Sequence, residues 1–178
     1  QRSNELNPPY PVNQRALRDH GPNNPIGDQF IDYVADVLRP LINKTFRTDA
    51  RWEATGIGGS SMGGIMAYYA YFRRNDVFGF SMSFSIPVFF YGKKRWGELL
   101  EEWGLNPEEH GKLAIFVGGD GFEKRFVVGC RWTVERMRQA GFGEGQVCFF
   151  EDPELPHHEE SWAKYSEPSL RFWLEGLD

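Results

Sequence analysis

The chain has 178 residues, with 20 Lys plus Arg against 25 Asp plus Glu and a formal net charge of −5. That length suits one domain with its own core, and a content of 40% hydrophobic and 16% aromatic residues excludes a disordered chain. Mild acidity leaves no electrostatic footprint for nucleic acid or for an anionic membrane surface.

Residues 1–27 are rich in Asn, Pro and Gly, follow no period, and read as loop. From Asp28 the pattern changes: Phe30, Ile31, Val34, Leu38, Leu41 and Ile42 recur at helical spacing, with Asp28 as the expected N-cap. Pro40 is expected to bend or loosen the last turn. Residues 51–58 hold a short strand that Gly58-Gly59 ends sharply, and residues 62–74 read as a helix buried on much of its surface. Residues 80–90 contain a second strand, followed by a polar helix over 95–103. Residues 113–117 form a continuous apolar run before Gly118-Gly119, as expected of a buried parallel strand. Residues 124–139 read as a helix with Phe126, Val127, Cys130, Val134 and Met137 on one side. A fourth strand over 146–150 and a last helix over 162–174, around Pro168, complete the pattern.

Strands alternating with helices imply βαβ units, a mostly parallel sheet and an α/β fold, in a single domain over 1–178. The weakly polar run over 78–92 is interrupted by serines and a proline and is too short to span a bilayer. Cys130 and Cys148 are too few for a disulfide framework. No charged-then-apolar signal segment is visible, so the sequence leans toward a cytoplasmic protein.

Chemistry concentrates in Gly59-Ser60-Ser61-Met62-Gly63, a G-x-S-x-G pattern centred on Ser61 between an expected strand and an expected helix. A turn that tight needs small flanking residues. It pushes the serine above the sheet edge, where the Met62 amide at the helix N-terminus supplies half of an oxyanion hole. Such a nucleophile needs a base, then an acid to orient that base. Of the four histidines, His20 precedes the serine and His110 precedes a strand. His157 and His158 follow the last strand, where a base belongs, and no third ligand at convincing spacing turns them into a metal site. The acid belongs after the third strand, where Glu123 and Asp120 are both available. Asp120 equally suits a Gly-Asp-Gly turn, and Glu123 equally suits a negative first helical turn. No dinucleotide fingerprint or phosphate loop occurs, and no cofactor is implied.

In this order the residues resemble the putative esterase family of α/β-hydrolases, which includes esterase D-like, enterochelin (trilactone) esterase-like and some feruloyl-type esterases. The likeness rests on Gly59 to Gly64 (Gly-Ser-Ser-Met-Gly-Gly), on Arg2-Ser3-Asn4-Glu5-Leu6, and on the spacing of His157, Glu159 and Trp162. It implies a three-layer sandwich with a mostly parallel sheet. It selects His157 over His158 as base and Glu123 over Asp120 as acid, and it places Arg2 near the substrate or oxyanion. Family members carry strands ahead of the arginine segment, so the resemblance implies the C-terminal portion of a larger domain, without its N-terminal strands and second oxyanion donor. The function it implies is hydrolysis of a small-molecule carboxylic ester, with no nucleic-acid or membrane partner. Narrower forms act on a siderophore trilactone or a carbohydrate-linked acyl group (feruloyl or acetyl type). A non-catalytic hydrolase-like scaffold is the reading from a different class.

Overall fold

A computed structural model describes residues 2–10 and 24–177. Four short strands, β1 (Gly56–Ser60), β2 (Phe80–Phe84), β3 (Lys112–Gly118) and β4 (Val147–Asp152), form one parallel sheet in the order β1-β2-β3-β4. Parallel neighbours require crossovers. The helices α4 (Met62–Arg73), α5 (Gly92–Trp103) and α6 (Lys124–Gln139) provide them, and α7 (Glu159–Leu174) closes the chain.

The pleat sorts each strand between two layers. Leu113, Ile115 and Val117 of β3 join Ile65 and Tyr68 of α4, Trp96 and Leu99 of α5, and Phe126 and Cys130 of α6 in one buried cluster. Phe116, on the opposite face, stacks on Tyr165 of α7 at 4.3 Å, and Phe80 stacks on Trp173 at 4.7 Å. Three layers result: helices, sheet, helix. The buried serines of β2, Ser81 and Ser83, bond one another at 2.9 Å. Burying large side chains such as Leu113 or Phe116 contributes about 1.5–3 kcal/mol each.

The N-terminal part departs from the sequence reading in four places. Arg2–Glu5 forms a one-turn helix, α1, rather than loop, while residues 11–23 of that expected loop, with His20, lie outside the described residues. The helix expected from Asp28 is capped by Ile26 without a side-chain bond, and Asp28 sits inside its first turn, where the helix dipole favours an acid. The loosening near Pro40 falls before the proline: α2 (Gly27–Tyr33) widens into a π segment over Val34–Leu38, marked by the Arg39 N–H donating to the Val34 carbonyl. Helix α3 (Arg39–Thr45) then continues with the proline in its first turn. A proline lacks the N–H for the carbonyl four residues back and presses its ring against it, so the wider turn relieves both. Residues 51–54 form bends and a turn rather than strand, and β1 runs through Gly58-Gly59 to Ser60 instead of ending there. Among the described residues no helix is long and apolar enough to cross a membrane.

Candidate active site

Strand β1 turns into α4 through Ser61, whose φ of 57° and ψ of −118° are rare for a residue with a side chain. The turn is held by its neighbours: the Ser61 N–H donates to the Phe84 carbonyl at 2.9 Å, and the Ser61 carbonyl accepts from Ile65 N–H at 3.1 Å. The reversal packs Gly59 onto the Gly63 backbone and Gly64 onto the Phe84 carbonyl, so a Cβ at either position would collide with main chain. A Cβ on Gly63 would meet nothing. The close approach therefore demands glycine at 59 and 64, and the last glycine of the G-x-S-x-G pattern is not one of the two. Met62 opens α4, and its N–H has no carbonyl four residues back within the helix.

Similar bonds stitch the neighbouring strand ends together. The Ser85 N–H donates to the Phe116 carbonyl at 2.7 Å, and the N–H groups of Gly119 and Asp120 donate to the Leu155 carbonyl at 3.0 and 3.1 Å. The loops after β1, β3 and β4 thus share the carboxyl edge of the sheet, where open α/β folds place ligands. Glu123 ends a 3₁₀ turn (Gly121–Glu123) after β3 and is fully buried. Its carboxylate is surrounded by donors: Oε1 accepts from Ser85 Oγ and from Gly118 N–H at 3.2 Å, and Oε2 pairs with His157 Nδ1. Burial of a carboxylate is tolerated when its lone pairs are met in this way.

His157 lies between β4 and α7, with its ring stacked on Phe126 at 4.6 Å and set edge-on to Trp162 at 5.0 Å and to Phe122 at 5.4 Å. A neutral ring that gives Nδ1–H to Glu123 carries its lone pair on the other nitrogen. His158 has a different place: it is the N-cap of α7 and accepts from the Glu160 N–H at 3.3 Å. Asp120 is exposed, its side chain caps nothing, and only its backbone joins the turn, through its carbonyl to Glu123 N–H at 3.0 Å. Among the described residues no hydrogen bond links Ser61 Oγ to His157, and none links the exposed Arg2 to Ser61, Glu123 or His157. Nothing in the sequence singles out Ser85, which reads there as one more strand residue.

Other nucleophiles and ligands are poorly placed. Burial pushes the Cys130 thiol up to about 12, so it offers no thiolate. His110 is buried in an aromatic cluster at the foot of β3. Among the described residues no three His, Cys, Asp or Glu side chains gather as a metal site.

A family model named Esterase, described as putative esterase, matches residues 2–165. The chain belongs to the putative esterase family. No curated protein matches it. Solved structures that it is similar to include an IroE-like serine hydrolase from Shewanella oneidensis (16% identity, TM-score 0.74, 96% of this chain and 55% of that one). Others are an enterochelin esterase from Shigella flexneri (18%, 0.69, 83% and 37%) and the siderophore hydrolase EstA from Aspergillus nidulans (18%, 0.68, 99% and 65%). At these identities the likeness is one of fold, the α/β-hydrolase sandwich. This member of the family spans between 37% and 65% of those three chains. Within it β1 is an outer strand, with no partner on its far side among the described residues.

Proposed function

We propose that the chain hydrolyses carboxylic esters of small molecules through an acyl-enzyme on Ser61. The observation that carries the reading is the buried Glu123 carboxylate bonded to His157 Nδ1, on the sheet edge where Ser61 occupies a strained strand-to-helix turn. His157 Nε2 takes the proton of Ser61 Oγ as the oxygen attacks the ester carbonyl, and Glu123 stabilises the imidazolium that forms. The Met62 N–H faces the charge developing on the carbonyl oxygen. Collapse of the tetrahedral adduct breaks the carbon–oxygen bond to the alcohol, which leaves with the proton from His157. Water, deprotonated by the same nitrogen, then attacks the acyl carbon; the bond to Ser61 Oγ breaks, His157 returns the proton to that oxygen, and the acid is freed.

A fluorophosphonate probe with mass mapping tests this. Labelling is expected on Ser61 and is lost in Ser61→Ala. A folded wild-type protein that takes no label would replace the reading by a non-catalytic hydrolase-like scaffold.

A narrower substrate class, aromatic acyl esters of feruloyl type, has one supporting feature. Beside His157 the ring of Phe122 is 52% exposed, and the Arg125 guanidinium lies 5.2 Å from it and 4.3 Å from Phe89. An aromatic rim with a cation beside it suits a flat ring bearing oxygen substituents. The expected outcome is a higher kcat/KM for p-nitrophenyl benzoate than for the acetate, with the preference reduced about tenfold in Phe122→Ala. Equal loss on both esters would remove Phe122 from substrate selection.

A further inference from the structure

Just past β2, Ser85 has a φ of 51°, in the left-handed region that glycine adopts freely and other residues seldom do. Its side chain is fully buried, and its hydroxyl carries two bonds: Oγ–H donates to Glu123 Oε1, and Oγ accepts from the indole Nε1–H of Trp162 at 2.9 Å. The directions are forced, because an indole nitrogen only donates and a carboxylate only accepts. Trp162 in turn sets its ring edge-on to His157, at 5.0 Å and 89°. The contacts close a ring, His157 to Glu123 to Ser85 to Trp162 and back to His157. Glycine would hold this backbone without strain, so the conformation does not explain a serine. The hydroxyl does.

We propose that Ser85 and Trp162 are positioning residues for the reaction at Ser61, a role that rests on the acyl-enzyme reading above. Ser85 fixes the Glu123 carboxylate through Oε1, which keeps Oε2 on His157 Nδ1. Trp162 orients the hydroxyl through its N–H and sets the imidazole plane through its ring. The pair thereby joins three loops, those after β2, β3 and β4, into one support for the base. This also gives a physical reason for the tryptophan five residues beyond His157.

The test uses Ser85→Gly, which removes the hydroxyl while accepting the positive φ, and Trp162→Phe, which keeps an aromatic ring and removes the N–H. For each, the fluorophosphonate labelling rate of Ser61 is followed against probe concentration, beside the melting temperature. Loss of a hydrogen bond to a charged group predicts a maximal rate lower by roughly ten- to a hundredfold, with the half-saturating concentration unchanged and the Ser85→Gly melting temperature lower by only a few degrees, so that the protein stays folded in the assay. Because both changes act through one hydroxyl, the double variant is expected within about twofold of the slower single one. Wild-type rates in Ser85→Gly, a loss confined to the half-saturating concentration, or a fully additive double variant would each overturn the positioning role. Failure of the acyl-enzyme reading is distinguishable, since the wild-type protein itself would then take no label.

Discussion

A methyl group added at Gly64 would run into the Phe84 carbonyl, whereas one added at Gly63 would meet nothing. Gly64→Ala should therefore cost about 1–3 kcal/mol through overpacking. Gly63→Ala, in the first turn of α4, should hold or raise stability because alanine is the better helix former. Thermal melts of the two variants check the contrast, and equal losses would contradict it. The acid at the site is the next residue-scale question. Glu123→Gln should lower kcat/KM by on the order of 10³–10⁴, since an amide disturbs the imidazole tautomer. Asp120→Asn, exposed and away from His157, should change it only a few-fold. A crippling Asp120→Asn would reverse the assignment. These residues also mark what the sequence reveals. Ser61 is legible because its neighbours share one short motif. Glu123 and Asp120 are not separable from spacing, because the difference between them is burial. Ser85 is invisible in sequence, as its partners lie 38 and 77 residues away.

Between elements, Arg73 and Arg74 tie the helix that begins at Gly27 to the end of α4, Arg73 through Asp32 at 2.6 Å. Arg74, at the C-cap of α4, bonds Asp36 at 2.7 Å, Asp76 at 2.9 Å and Asp32 at 3.4 Å, with only 15% of its side chain exposed. Asp32 lies in α2 and Asp36 in the π segment, one turn apart on the surface that meets α4. Arg74→Met, which keeps the aliphatic stem, should lower the melting temperature by a few degrees. The difference from wild type should shrink at about 1 M salt, where screening reaches within a few ångströms. A difference unchanged by salt would mean that packing, not charge, holds the junction. Helix α6 matches its apolar periodicity over Lys124–Gln139, because one face of it is core. The helix from Gly27 does not, because Ile31 and Ala35 pack inward while Leu41 and Ile42 stay 57% and 39% exposed. Apolar spacing specifies a stripe, and only tertiary contact decides how far along the helix that stripe is covered.

At the scale of the whole molecule, the acid side of the stability profile divides into two windows with different causes. His110 is 5% exposed among Tyr71, Phe72 and Phe142, and its Nδ1–H donates to the Asn106 carbonyl at 2.8 Å. Its Nε2 is buried without a hydrogen-bond partner among the described residues, so a proton there would have no acceptor. Burial accordingly pushes the imidazole below its usual 6.5, against the opposing pull of the Asn106 carbonyl and of Glu109. The unfolded chain then binds more protons than the folded one just below 6.5, and stability falls as pH falls through that window. One such group changes stability by at most about 1.4 kcal/mol per pH unit. The second window opens lower. Arg74, Arg51 and Lys164 hold the Asp36, Asp49 and Asp152 carboxyls below their usual 3.8, so the stabilisation from those pairings is present above 3.8 and is lost on further acidification. Melting temperatures between about pH 7 and about pH 3 should therefore show two successive declines in the wild-type protein. His110→Asn, which keeps a donor for the Asn106 carbonyl and cannot titrate, should flatten the first and leave the second. Arg74→Met should leave the first and shrink the second in part, since Asp49 and Asp152 keep their own partners. If His110→Asn retains the full decline just below 6.5, the buried imidazole is not its cause.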